Sequence, residues 1–383
     1  MNDEELDNNL DSDINSDDLD SFEPVAKIVV IGIGGAGNNA VNRMIDDNIQ
    51  NVDFYVMNTD RQALASSKAP NRVILGKQTT KGLGAGGDPT VGKMAAEQST
   101  ETIKKVVAGA DMVFIAAGMG KGTGTGAAPV VAKIAKDSGA LTVAIVTRPF
   151  TFEGKRRTEN AIQGLTNLKN VVDSIIIVSN DKLLTSAGGA PIDQAFQESD
   201  HILAQSVKTV ADLILVPAMM NLDFADVKST LKDSGVALIG FGMGKGPNKA
   251  EEAALNAINS PLLEAKVQGA KRAICAVTCG PQVTMYEAQK CAMKIVEEAG
   301  GITDMKFGVS INPNLEDSLV VSVIASDFDG DRDFISAPDD GPIINPLPST
   351  DGVTSDSSKD DSSNEYGPDI DLSDTLRPHF DHE

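Results

Sequence analysis

The chain is predicted to be an α/β protein: a parallel sheet covered by helices on both faces, then one long helix, then a smaller α/β unit, with disordered acidic tails. Three observations lead there. Short β-branched apolar runs alternate with helical segments through the first half of the chain. Glycine-rich stretches follow several of those runs, as loops at the carboxyl ends of parallel strands do. A helix opened by Pro191 runs to about Val216, is stopped by Pro217, and precedes a second set of strands.

Taken in order, Lys27 to Ile31 is a strand and Asn38 to Asp47 a helix with Val41, Met44 and Ile45 turned inward. Val52 to Met57 is a second strand and Arg72 to Leu75 a short third. Residues 90–108 are helical, and Asp111 to Ala117 is apolar throughout, as a strand covered on both faces requires. Pro129 and the spacing of Val130, Val131 and Ile134 after it read as a helix; Leu141 to Val146 and Ile175 to Val178 are further strands. The helix from Pro191 would be roughly 38 Å long, enough to cross a domain. Residues 236–326 hold the strands ALIGFG, RAICAVT, GVSIN and SLVVSVIA with two intervening helices, one near Met285 to Ala299.

At 383 residues the length favours two domains, either of which can bury a core. The net charge of −22 belongs to the ends. Residues 1–24 hold 10 acidic residues and no Lys or Arg, residues 327–383 hold 16 acidic and 3 basic, and the middle is at +1. The tails therefore read as self-repelling and disordered. A near-neutral body lacks the basic stripe of a nucleic-acid surface, so no nucleic-acid partner is expected. The first 24 residues have neither a basic n-region nor an apolar h-region, and no run of about 18 apolar residues occurs. A cytoplasmic protein without membrane insertion is expected. Cys275, Cys279 and Cys291 are an odd set without metal-ligand neighbours and read as small buried hydrophobes. His201, His379 and His382 are too scattered for a metal site.

Chemistry concentrates in Gly118 to Gly126, GMGKGTGTG, between a strand and a helix. Glycines there free several backbone N–H groups to converge, the helix dipole adds positive potential, and Thr123 and Thr125 add hydroxyls: an anion site, most simply for phosphate. Gly32-x-Gly34-x-x-Gly37 also matches the dinucleotide fingerprint, with Asp60 at a ribose-contact distance. An oxidoreductase of Rossmann type is thus an alternative. A second and third glycine-rich loop, Gly118 to Gly126 and Lys81 to Gly87, suit a triphosphate better than a pyrophosphate. A P-loop fails, since Ile115 stands where its first glycine belongs and Gly122 where Ser or Thr should follow.

These loops, with GIGGAGNNAV (Gly32 to Val41), NTD (Asn58 to Asp60), TKGLGAGGDP (Thr80 to Pro89), TRPFTFEGKRR (Thr147 to Arg157), SNDKLL (Ser179 to Leu184) and MNLDFADV (Met220 to Val227), resemble in order the signature shared by tubulins and the FtsZ family, the bacterial cell-division GTPases. The resemblance spans about residues 25–326. It implies a tubulin/FtsZ-like fold, GTP or GDP with Mg2+ as the ligand, and head-to-tail filaments forming the cytokinetic ring. By the same resemblance Gly34, Gly35, Ala36, Gly37, Asn38, Asn39, Asn58, Asp60, Gly84, Ala85, Gly86, Gly118, Met119, Gly120, Gly122, Thr123, Gly124, Thr125 and Asn180 would hold the nucleotide. Phe196 would stack on guanine, Asn39 and Asp200 would meet its polar edge, and Glu153 and Arg157 would reach the ribose and nearby phosphate. Asn221, Asp223 and Asp226 would act on the attacking water in the next subunit's site.

Plainer readings stand beside these. Phe196 has the spacing of a core aromatic with Ile192 and Leu203, and Glu153 and Arg157 fit a solvated surface. Asp223 with Asp226 three residues on is a capping box. A nucleotide-binding scaffold without turnover keeps the same fold. Lys121 stands where the family usually has glycine; a phosphate contact, a contact with the neighbouring subunit and a solvated side chain are all open. The expected divisions are an N-terminal extension (1–24), a GTP-binding domain (25–190), the central helix and catalytic loop (191–235), a C-terminal domain (236–326), a linker (327–366) and a terminal peptide (367–383). In that peptide Leu372, Leu376, Arg377 and Phe380 keep an amphipathic pattern, which by resemblance would dock on division-protein adaptors or membrane tethers.

Overall fold

Among the described residues ten strands form a single sheet. In chain order they are β1 (Ile28–Ile33), β2 (Asp53–Asn58), β3 (Asn71–Ile74), β4 (Met112–Gly118), β5 (Leu141–Arg148), β6 (Ser174–Ser179), β7 (Gly235–Lys245), β8 (Ala270–Cys279), β9 (Asp304–Ile311) and β10 (Ser318–Phe328). The computed structural model describes residues 26–328 and Ile335, except 188–191, 217, 261, 262, 264 and 301. The acidic tails and the terminal peptide, and Pro191 and Pro217, lie outside the described residues.

The spatial order is β3-β2-β1-β4-β5-β6-β7-β10-β8-β9. From β3 to β7 every pairing is parallel. β10 is antiparallel to both β7 and β8, and β8 runs parallel to β9. β1, β5 and β6 are buried at every position, which is why they read as continuous apolar runs. The 11 residues of β7 outreach its pairing with β6, so this strand carries the sheet from one set of strands into the other.

The helices are α1 (Gly34–Asp46), α2 (Arg61–Ala65), α3 (Lys77–Thr80), α4 (Pro89–Gln98), α5 (Thr100–Val107), α6 (Thr123–Asp137), α7 (Lys155–Lys169), α8 (Asn180–Ala187), α9 (Ile192–Leu215), α10 (Phe224–Leu231), α11 (Lys249–Ile258) and α12 (Met285–Ala299). α9 has 24 residues, about 36 Å at the α-helical rise. Leu203, Val207, Val210 and Ile214 keep helical spacing along it and are buried against the face of the sheet that also holds Val30, Phe114 and Ile145. A second cluster covers the opposite face, and a third lies between α11, α12 and strands β8–β10. Cys275, Cys279 and Cys291 belong to that third cluster as free, buried thiols. Burial pushes all three above the usual thiol range, Cys291 to about 12, so they pack as hydrophobes.

Three helix limits differ from the sequence expectation. The helical stretch at 90–108 is two helices broken at Ser99, whose hydroxyl donates to Ala95 O and accepts from Gly76 N. α1 begins at Gly34, four residues before the predicted start, and α6 begins at Thr123, which leaves Pro129 inside the helix. Glycine and threonine are poor helix formers, so propensity hides both first turns. Their glycines serve packing. A Cβ on Gly37 would stand 2.2 Å from Ala116 O, and one on Gly126 would stand 1.9 Å from Pro89 O.

Candidate nucleotide site

β1, β2 and β4 each end on a cleft of about 500 Å³. Glycine-rich segments from three places in the chain share its wall: Gly34 and Gly35, Gly84 to Gly87, and Gly118 with Gly122 and Gly124. α1 and α6 both point their first turns into it. Neither carries a side-chain cap or an acidic residue in that turn, so their N–H groups are left for an anionic ligand. α2 and α4 nearby are instead capped by Asp60 and Asp88.

The loops are tied to one another. Thr59 and Thr123 share a hydroxyl hydrogen bond of 2.7 Å, joining the segment after β2 to the start of α6. Gly120 N donates to Thr125 Oγ1 at 2.8 Å and closes the loop after β4. The buried Asn38 amide, oriented to match donors with acceptors, donates to the carbonyls of Gly32 and Gly34 and accepts from Asn58 Nδ2. These bonds fix the cradle before any ligand arrives.

Of the predicted contacts, Gly34, Gly35, Ala36, Asn39, Asn58, Asp60, Gly84, Ala85, Gly86, Gly118, Met119, Gly122, Thr123, Gly124, Glu153, Asn180, Phe196 and Asp200 line the cleft. Gly37, Asn38, Gly120, Thr125 and Arg157 do not. Gly37 packs α1 onto β4, Asn38 and Thr125 brace the loops, and Gly120 lies behind the wall against the Arg157 carbonyl. The Arg157 guanidinium is drawn to Glu153, which also accepts from Phe150 N. Lys121, for which a phosphate contact was one of three open readings, lines the cleft too, and sequence reasoning did not single out Ile33, Ala63, Leu83, Gly87, Thr147, Pro149 and Ser199. Thr147 and Pro149 were findable, since they sit at the carboxyl end of β5.

Phe196 is 39% exposed and meets Phe150 edge-on at 5.0 Å, with Phe152 stacked behind at 4.9 Å. It is therefore a wall of the cleft with a free face, and the core-aromatic reading falls. Beside it, burial pushes the Asp200 carboxyl up to about 7, against the pull of the Asn39 amide, Arg43 and Lys121. The Ser199 hydroxyl donates to Asn180 Oδ1 at 2.8 Å, linking α9 to α8.

Asn221, Asp223 and Asp226 are not in this cleft. Phe196, Ser199 and Asp200 sit near the start of α9, and the acidic segment follows its other end. The segment is pinned there: Met220 and Val309 exchange both backbone hydrogen bonds, and Leu222 is buried. Asn221 and Asp223 on either side of Leu222 face outward. Asp223 caps α10, accepting from Asp226 N at 2.7 Å while Asp226 Oδ2 receives Asp223 N, so the capping box is present.

Two family models match the chain: the GTPase domain of the Tubulin/FtsZ family over residues 27–188, and the C-terminal domain of the FtsZ family over residues 235–329. An empty FtsZ dimer from M. jannaschii is 40% identical with a TM-score of 0.75, over 81% of this chain and 90% of that one. A GDP-bound monomer and a GTPgS-bound protofilament of CetZ proteins from Haloferax volcanii share the fold at 22% identity, with TM-scores of 0.70 and 0.68. Each covers 81% of this chain and 96% of its own. Sheet, central helix and glycine-lined cleft together define a tubulin-like GTPase fold. The chain belongs to the FtsZ family. The Rossmann oxidoreductase reading is thereby set aside.

Proposed function

We propose that this protein hydrolyses GTP at the contact between successive subunits of a head-to-tail filament, and that the filament serves cell division as a cytoplasmic ring at the division site. One observation carries the reading: the outward acidic segment lies at the opposite end of α9 from the cleft it would serve. A subunit cannot bring Asp223 or Asp226 to its own nucleotide across about 36 Å of helix. A neighbour stacked along that axis can, and a heterologous contact of this kind propagates as a filament.

Exposed apolar side chains stand at both ends of that axis. Leu83, 84% exposed, lines the cleft and the exposed Phe152 stacks on Phe150, which meets the cleft residue Phe196, while Met219, 70% exposed, Met220 and Ile311 lie about the acidic segment. Their burial against one another gives assembly a driving force. The M. jannaschii FtsZ dimer and the CetZ protofilament are the relatives that motivate self-association.

The cleft fits a guanosine triphosphate in its chemistry. Phe196 offers a free aromatic face, Asn39 and Asp200 offer acceptors for guanine N–H groups, and two uncapped helix starts face the phosphates. Mg2+, a hard cation, would bind the phosphate oxygens and water. Asp223 and Asp226 then orient water and accept its proton, with no covalent step on the protein. Adaptors or membrane tethers are assigned to the terminal peptide, outside the described residues.

Phosphate release measured across a protein dilution series tests the reading. The rate per subunit should be near zero at low concentration and rise steeply above a threshold, together with light scattering. A constant specific rate at every concentration would mean each subunit completes its own site.

A further inference from the structure

Lys121 stands between two glycines that have no room for a side chain. A Cβ on Gly120 would stand 2.8 Å from Arg157 O and 3.1 Å from Pro149 Cγ, and the residue has φ +99°. A Cβ on Gly122 would stand 2.8 Å from Ala85 Cβ and 2.9 Å from Asp88 N. Both flanking glycines are thus held by close contacts. Lys121 itself has no positive φ, so its backbone needs no glycine. Its side chain lines the cleft and is exposed.

The surroundings of this cation locate it along the ligand. Its charged neighbours are Arg157, the partner of Glu153, and Asp200, which shares α9 with Phe196. Arg157 already has Glu153 as its partner. Lys121 has no hydrogen bond or ion pair among the described residues, and burial, then the Arg157 charge, pull its ammonium below the usual lysine range against the opposing pull of Asp200. An ammonium with no paired partner, beside a second cation, has capacity left for an anion. An anion arriving in the cleft would relieve it.

We infer that Lys121 is a further nucleotide-binding residue, whose ammonium pairs with the phosphate nearest the ribose. It therefore strengthens binding of guanosine triphosphate and diphosphate by the same factor and does nothing for guanosine. This rests on the reading of the cleft as a guanine-nucleotide site. Its consequence is specific: Lys121 gives uniform affinity and slows diphosphate release, and does not help the site tell triphosphate from diphosphate.

Equilibrium binding of GTP, GDP and guanosine to the full chain, held below its assembly threshold, tests this in the parent, Lys121→Met and Lys121→Arg. Lys121→Met should weaken GTP and GDP alike by about tenfold, the loss of one charge-assisted contact. Guanosine binding should not move, Lys121→Arg should recover most of the loss, and added salt should narrow the gap between parent and Lys121→Met. A loss confined to GTP would place the ammonium at the terminal phosphate and overturn the assignment. An equal loss for guanosine would mean that Lys121 acts through Asp200 and the base, which also overturns it, as would no loss at all. A parent chain that binds neither nucleotide would fail the cleft reading itself, and this inference with it.

Discussion

Lys306 on β9 holds Asp304 at 3.1 Å and comes within 3.9 Å of Oδ1 of Asp226 on α10. The other oxygen of Asp226 receives the Asp223 backbone N–H, so the carboxylate is engaged on both sides. The ion pair is part-exposed and contributes little to folding, about 0–1 kcal/mol. Its value would lie in holding the carboxylate and in placing a positive charge beside the neighbour's triphosphate.

Lys306→Met should accordingly leave thermal stability and GTP binding by the monomer nearly unchanged. Turnover in filaments should fall by about three- to tenfold, because the carboxylate is free to leave its productive rotamer. Phosphate release normalised to polymer mass measures it. Parental turnover would show that Lys306 only decorates the surface.

Asparagine at the acidic pair separates capping from chemistry. Asn caps a helix as well as Asp does, so Asp223→Asn keeps the bond from Asp226 N and costs little stability. Nucleotide binding should be unaffected, since neither residue lines the subunit's own cleft. Turnover should drop by about a hundredfold in Asp223→Asn, and likewise in Asp226→Asn, because an amide cannot take a proton from water. Filaments should persist longer after GTP addition. Near-parental hydrolysis in either variant would reduce that residue to a cap.

Much of the sheet and cradle was legible because both are written in backbone-level chemistry. Runs such as Met112 to Ala117 are apolar throughout because both faces of β4 are covered. Glycine at 34, 84 and 86 signals positive φ, and those residues have it. Three features were not legible. The first turn of α6 is built from residues of low helix propensity and is held by packing onto α4, which no local pattern reports. The joining of β7 to β6 depends on pairing across some 60 residues of chain, beyond any window. Arg157 lies off the cleft wall and pairs with Glu153, four residues before it in the turn that precedes α7, a pairing that motif matching ignores.

Two glycines should respond to alanine for different reasons. At Gly126 a Cβ would collide with Pro89 O at 1.9 Å and Lys93 N at 2.7 Å, where α4 and α6 touch backbone to backbone. Gly126→Ala should therefore push those helices apart and cost about 1–3 kcal/mol or more. Gly86 has φ +58° and nothing within 4 Å of its Cβ position. Gly86→Ala should cost only the left-handed strain, about 1–2 kcal/mol at most, and act on nucleotide affinity instead. Denaturant titration of both variants decides it; a Gly126→Ala protein as stable as the parent would contradict the contact.

Asp200 should make nucleotide binding depend on pH near neutrality. Burial raises its carboxyl from the ordinary 3.8 to about 7 in the ligand-free protein, while Asn39, Arg43 and Lys121 pull the other way. The folded chain then keeps a proton that the unfolded chain has released. Stability of the free protein should fall as pH rises from 3.8 to about 7 through this group, with the full penalty above that value. Guanine reverses the balance, because its N–H groups donate to the ionised carboxylate and favour it. GTP affinity of the monomer should therefore climb as pH rises towards 7 and level off above it. Asp200→Asn removes the titration, so its affinity should be lower and flat in pH. Its ligand-free stability should exceed the parent's above neutrality. Calorimetric binding on either side of pH 7, with thermal unfolding of the free proteins, measures both halves. A parent affinity that does not change across that range would show that Asp200 does not meet the base in its ionised form.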